Sequence, residues 1–278
     1  MRDGVFSFTA LAVACARGID DVDPVAASLM PFPLNHAVRA GRDAQSAHPA
    51  LRYLLRRGGF VAHLPLRTLA IDAVVERAIA EGARQLVILG AGLDARAWRM
   101  ECLLETRVLE VDHPATQAYK ARRMGGRPTT SRDVRWVEVD FGKDDLGERI
   151  RASGFEPGAP AVFVWEGVTP YLPPAATAKT LEAIAALCEV PGTLAMTYGT
   201  PDMASAVAPI RPLVRAAFGL IGEPLLGLVS EAEARALVEA AGMTLVRDSD
   251  YRDWAKDADR PTPRLHVAER LLVARIGA

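Results

Sequence analysis

Carboxylates recur at the ends of short β-branched runs in this sequence. QLVILG leads through Gly90, Ala91 and Gly92 to Asp94, TRVLEVD ends at Glu110 and Asp112, VRWVEVD at Glu138 and Asp140, and AVFVWEG at Glu166. In a doubly wound sheet the ligand lies outside the carboxyl ends of the strands, so these exits place acid after acid on one rim. A single acid at a strand end usually serves a turn, and a lone G-x-G is as often a tight turn as a ligand loop. Their joint occurrence at four successive exits points to a ligand.

Gly90, Gly92 and Ala95 fit the G-x-G-x-x-G/A pattern of a dinucleotide loop. Asp94 argues against a pyrophosphate, because two anions at one helix start repel. A cofactor with no phosphate and a positive centre suits the rim better, and S-adenosylmethionine has a sulfonium, an ammonium, a ribose diol and an adenine. Gly90 and Gly92 let the backbone approach its amino-acid end. Asp112 is placed to accept from both ribose hydroxyls, Asp140, followed by Phe141, from the adenine amino group, and Glu166 to face the ammonium. Trp136 and Trp165 are expected in the core and His113 as a helix cap. Arg96 and Arg99 are expected to be structural, with Arg99 pairing with Asp94 or a carbonyl.

The elements that must hold these residues follow from apolar spacing. Before residue 83 the pattern is helical, in FTALAVACARG, HPALRYLLRRGGFV and LPLRTLAIDAVVERAIAEG, with Leu69, Ala73, Val74 and Ala78 predicted on one face. Then five β-branched runs alternate with helical segments such as ATQAYKARRM and PAATAKTLEAIAALCE, which implies a parallel sheet covered on both faces. SEAEARALVEAAG reads as a helix capped by Ser230, with Glu233 completing the cap and Gly242 after its end. MTLVRD and AERLLVARIG close the sheet as an antiparallel pair after that single helix. The expected fold is α/β: a Rossmann-like domain with seven mostly parallel strands over 83–199 and 231–278, a helical N-terminal cap at 1–82 and a lid insertion at 200–230.

Composition narrows the ligand class. With 33 Lys plus Arg against 34 Asp plus Glu, the net charge is -1, so nucleic acid and anionic lipid are not expected partners. The 3 cysteines, Cys15, Cys102 and Cys188, have no disulfide or zinc spacing, so no metal and a reducing cytoplasmic setting are expected. The apolar FTALAVACARGI is too short for a bilayer span and reads as an amphipathic helix rather than a signal peptide.

The runs LVILGAGLDARAWR, VLEVDHPATQAYKARR, VEVDF and VWEGVTPYLP resemble the leucine carboxyl methyltransferase family and its bacterial S-adenosylmethionine-dependent O-methyltransferases, over about residues 6 to 200. The resemblance implies cofactor contacts from Arg67, Gly90, Asp112, Asp140, Phe141 and Glu166, with Ala91 and His113 beside them. It also implies that Arg67 and Tyr171 hold a substrate carboxylate. The family's N-terminal lysine has no clear counterpart, and Arg39 and Arg42 are candidates. The expected reaction is methyl ester formation on a small acid such as a polyketide or other secondary metabolite, with S-adenosylhomocysteine as product. A hydroxyl acceptor would need a base, for which His36 and His63 are candidates. A nicotinamide-dependent oxidoreductase and a binder without turnover are the competing classes.

Overall fold

The computed structural model describes residues 8–57, 59–140, 143–204, 225–264 and 268–277. Its strands are β1 (Gln85–Leu89), β2 (Arg107–Asp112), β3 (Asp133–Glu138), β4 (Ala161–Trp165), β5 (Gly192–Gly199), β6 (Thr244–Ser249) and β7 (Glu269–Ile276). They form one sheet in the order β3-β2-β1-β4-β5-β7-β6, in which β1 to β5 run parallel and β7 runs antiparallel to both β5 and β6. The last two strands differ from the expected pair, because β7 inserts between β5 and β6 and a helix, Tyr251–Asp257, separates them in sequence. Burial explains the order. ERLLVARI is largely buried and suits an interior position, whereas β6 exposes Thr244, Arg247 and 61% of Val246 and suits the edge.

Before β1 come α1 (Phe8–Asp20), α2 (Ala26–Leu29), α3 (Leu34–Ala47), α4 (Pro49–Arg57) and α5 (Gly59–Ala80). The short α6 (Arg96–Arg99) follows the glycine turn, and α7 (Pro114–Met124), α8 (Leu146–Ala152), α9 (Pro174–Leu187), α10 (Glu231–Ala240) and α11 (Tyr251–Asp257) follow in order. Ser230 and Glu233 form the expected capping box, and Gly242 takes a φ of +76°. Among the described residues no single helix is long and apolar enough to cross a membrane. Residues 205–224 of the expected lid lie outside the described residues.

Period-two alternation divides the core between the two faces of the sheet. Leu86 and Ile88 of β1 and Val162 and Val164 of β4 pack on one side, and Val87, Leu89, Phe163 and Trp165 on the other. Val108, Glu110 and Asp112 share the face that α5 and α7 cover, so β2 carries its two acids towards helices rather than solvent. On α5 the buried stripe is Leu64, Thr68, Ile71, Val75 and Ala78; of the four residues expected on one face only Ala78 is in it, Leu69 and Val74 being half-buried and Ala73 exposed. Because His63 and Arg67 must also be buried on α5, the helix is turned away from the purely apolar solution.

The buried acid Glu110 fixes α7 beneath the tip of β2. Lys120 Nζ lies 2.6 Å from Glu110 Oε2, with the rings of Trp98 and Trp136 5.3 and 5.8 Å from the ammonium. Burial pushes the Glu110 carboxyl up to about 7 even against Lys120. Removing the lysine should therefore leave a carboxylate that folds readily only when protonated. We predict that Lys120→Met costs about 3 to 5 kcal/mol near pH 8 in urea unfolding and less near pH 5, because the penalty grows as pH rises above the unfolded carboxyl value. An equal loss at both pH values would contradict this.

Candidate active site

The chain leaves β1 through a turn that only glycine accommodates at two positions. Gly90 and Gly92 have φ of +65° and +48°, and a Cβ on Gly90 would lie 2.4 Å from Val168 Cγ2. Gly90 and Ala91 donate their amides to Val111 O at 2.8 and 3.1 Å, which lays the turn across the end of β2. There Asp112 Oδ2 accepts the Gly92 amide at 2.5 Å and Oδ1 the His113 amide at 2.6 Å. Burial raises the Asp112 carboxyl, and these two amides oppose the rise. The result is a carboxylate of fixed orientation beside a bare backbone turn. His113 caps α7 as expected, with Nδ1 accepting from the Ala115 amide at 3.3 Å.

Asp140, two residues past the end of β3, lies half-buried, with its amide on Asp144 Oδ2 at 2.8 Å and its carboxylate 2.9 Å from Lys143 Nζ. Phe141 lies outside the described residues.

The acid-lined rim is corrected by its partners. Asp94 receives the Arg96 amide at 2.7 Å and pairs with the Arg96 guanidinium, so burial, which alone would raise its carboxyl, is outweighed by Arg96 and Arg17. Glu166 accepts from Arg67 Nε on Oε1 and from Arg96 Nη1 on Oε2, both at 3.0 Å, and Arg17 Nη1 stands 4.0 Å from Oε1. Burial again opposes ionisation, yet Arg67, Arg96 and Arg17 hold the Glu166 carboxyl well below its ordinary range. Glu110 is sealed against Lys120, and Glu138 is exposed. These acids are charge-balanced rather than bare, because a buried carboxylate without a counterion is costly.

Arg96 thus joins Asp94 to Glu166 within the cluster. Its Nε also donates to Asp72 Oδ1 at 2.7 Å. Arg99 pairs with Asp72, Nη1 to Oδ2 at 2.7 Å, and not with Asp94. Arg39 is exposed and Arg42 reaches only Pro24 O, so neither enters the cluster. Arg17 does: it ends an apolar stretch of α1, is 4% exposed, and donates to Leu93 O of the glycine turn at 2.9 Å. Sequence reasoning missed Arg17, Asp72 and Glu269. A lone arginine on the apolar face of FTALAVACAR was a usable signal.

Arg67, expected here by resemblance, donates Nη1 to both oxygens of Glu269, at 2.9 and 2.8 Å. Tyr171 ends a short 3-10 turn directly after Glu166 and is half-buried. The chain returning from residue 224 docks on this turn, with the amides of Leu226 and Gly227 on Pro170 O at 2.9 and 3.0 Å. A Cβ at Gly227 would meet Thr169 O and Leu172 O at 2.2 Å. His36 is exposed and bonded to Asn35, while His63 is fully buried against Glu269. Among the described residues no group of three or more His, Cys, Asp or Glu is placed to hold a metal.

A sheet in this order, with a glycine turn after β1 and an acid at the tip of β2, defines a Rossmann-like fold of the class I methyltransferase kind. The chain belongs to the leucine carboxyl methyltransferase family, whose model matches residues 10–185. An S-adenosyl-L-methionine-dependent methyltransferase of Mycobacteroides abscessus is 35% identical over 66% of this chain and 62% of its own length. One of Frankia alni is 34% identical over 69% of this chain and 68% of its own. The match thus spans under two thirds of the first of these relatives. Among solved structures, a DUF574 family protein of Streptomyces avermitilis aligns with a TM-score of 0.59 at 18% identity, covering 94% of this chain and 97% of its own. A methyltransferase of Thermobifida fusca aligns at 0.58 and 18%, covering 95% and 94%. The names of both relatives give S-adenosylmethionine as the cofactor.

The residues present fit that cofactor. Beside the Gly90–Gly92 backbone the Asp112 carboxylate carries two amide bonds with lone pairs remaining for a diol.

Because Glu166 is held ionised in the fold, its contribution to stability is present above the ordinary carboxylate value near 4.3 and is lost as pH falls below it. The stability difference between the native chain and Glu166→Gln in urea should therefore be largest near neutrality and shrink below about pH 4. A difference independent of pH would contradict the pairing.

Proposed function

We propose that the protein transfers the methyl group of S-adenosylmethionine to a carboxylate oxygen of a small acid, forming a methyl ester. One observation carries the choice of acceptor: no imidazole among the described residues stands ready as a base. His36 on α3 and His48 directly after it lie exposed, His63 is 0% exposed behind Glu269, and His113 is spent on its cap. A carboxylate is already ionised at pH 7 and needs no base, whereas a phenol or alcohol does.

The residues divide the task by position. Asp112 would take the ribose hydroxyls, Asp140 the adenine amino group, the Gly90–Gly92 backbone with Ala91 the amino-acid end, and Arg67 and Arg17 its carboxylate. Glu166, kept ionised by its arginines, retains lone pairs for an ammonium. When bound, the cofactor supplies a methyl on a sulfonium, so the C–O bond forms as the C–S bond breaks and S-adenosylhomocysteine leaves. Charge is lost in that step, and the water-poor rim favours it. Tyr171, on the turn after Glu166, would orient the acceptor carboxylate by a hydrogen bond, together with Arg67. The small-acid class, in a secondary-metabolite setting, rests on the family resemblance and on a net charge of -1, which gives no overall attraction for a polyanion.

Two experiments test this reading. S-Adenosylhomocysteine should raise the melting temperature while NAD and NADP do not, and Asp112→Ala should weaken its binding by about 1 to 3 kcal/mol. An unchanged dissociation constant would remove Asp112 from the site. Incubation with methyl-labelled cofactor and a cell extract should yield a base-labile label. A base-stable label would indicate an ether or amine and overturn the carboxylate acceptor, and the complete absence of label would favour a binder without turnover.

A further inference from the structure

Arg67 is gripped on two edges by strands that run in opposite directions. Its Nε donates to Glu166 Oε1 at 3.0 Å, Nη2 lies 2.9 Å from the same oxygen, and Nη1 donates to Glu269 Oε1 and Oε2 at 2.9 and 2.8 Å. Glu166 follows the carboxyl end of β4, whereas Glu269 is the first residue of β7. Because β7 is antiparallel, its beginning lies on the rim where the parallel strands end. One turn before Arg67 on α5, His63 Nε2 lies 3.1 Å from Glu269 Oε2. His63 is 0% exposed and Glu269 3%, and His63 Nδ1 is buried with no hydrogen-bond partner. An Nε2–H imidazole satisfies this arrangement: it donates to Glu269 and leaves only a lone pair unmet.

We propose that Glu269 is a positioning residue for the amino-acid end of the cofactor, acting through Arg67 and itself held by His63. The inference rests on the reading that Arg67 contacts that end. A guanidinium is planar and offers five N–H groups in a fixed fork. Held by Glu166 alone, it can pivot about that edge, but a second carboxylate on Nη1 fixes its plane. The contact at 2.9 Å uses at most one of the two Nη2 hydrogens, so one N–H keeps a defined direction towards a bound carboxylate. Two acids also cancel the positive charge of Arg67, so what the residue adds to the site is direction rather than net charge. Burial opposes ionisation of Glu269, but Arg67 and His63 hold its carboxyl down at about 2, so the clamp is charged at neutral pH.

The test compares S-adenosylhomocysteine with 5′-methylthioadenosine, which has the same nucleoside and sulfur but no amino-acid end. By calorimetry on the full chain, Glu269→Gln should weaken S-adenosylhomocysteine about tenfold and leave 5′-methylthioadenosine within about twofold. His63→Leu should shift the ratio in the same direction, and His63→Gln, which keeps an N–H donor, should restore it. The His63 variants carry the test should Glu269→Gln not fold. Equal weakening of both ligands, or no change in their ratio, would overturn the proposal. Arg67→Lys separates the two levels: if it lowers the ratio while the Glu269 and His63 variants do not, positioning fails and the Arg67 reading stands. If it leaves the ratio unchanged, the Arg67 reading fails, and the proposal with it.

Discussion

A buried guanidinium shared between carboxylates is the interaction on which this structure depends. Arg67 and Arg96 meet on Glu166, Arg96 continues to Asp94 and Asp72, and Asp72 to Arg99, so the glycine turn, α5 and the end of β4 are joined by one ionic chain. Charges removed from water persist only where each finds a counterion. That requirement holds the N-terminal helices against the sheet: α1 supplies Arg17, which reaches the turn itself, and α5 supplies Arg67. The N-terminal cap is thus part of the site's construction, and the apolar packing of α1 against α3 and α5 carries the arginine into place.

The same constraint accounts for a rim that is acidic in sequence yet tolerant of a zwitterion. Asp94 and Glu166 are ionised because arginines stand beside them, while Asp112 is held by two backbone amides. The cationic and anionic ends of an amino acid would both find partners here, and a pyrophosphate would find only matched pairs. Methyl transfer asks little covalent chemistry of the protein, so the work falls on orientation, which a buried ionic network supplies by fixing its members.

The sheet was legible in the sequence because its interior strands, buried on both faces, read as apolar β-branched runs, and the edge strands β3 and β6 keep enough β-branched residues to be read the same way. Gly90, Gly92 and Asp112 were legible for the same reason: a turn that demands positive φ and an acid at a strand tip are local signals. The place of β7 was not, since strand order depends on pairing between segments distant in the chain. Glu269 carries no local signal for the same reason, because an antiparallel strand enters where its parallel neighbours leave. Two of the carboxylates that pair with Arg96, Asp72 and Glu166, lie 24 and 70 residues away. No local spacing reveals such a contact.

The central claim is that the cofactor binds across the glycine turn and the tip of β2, within this ionic frame. Hydrogen exchange with and without saturating S-adenosylhomocysteine tests it most directly. The account predicts slowed exchange in peptides spanning 89–95 and 110–116, the turn and the start of α7. Protection confined to the groove of about 640 Å³ between α10 and β6, with the glycine turn unchanged, would contradict it.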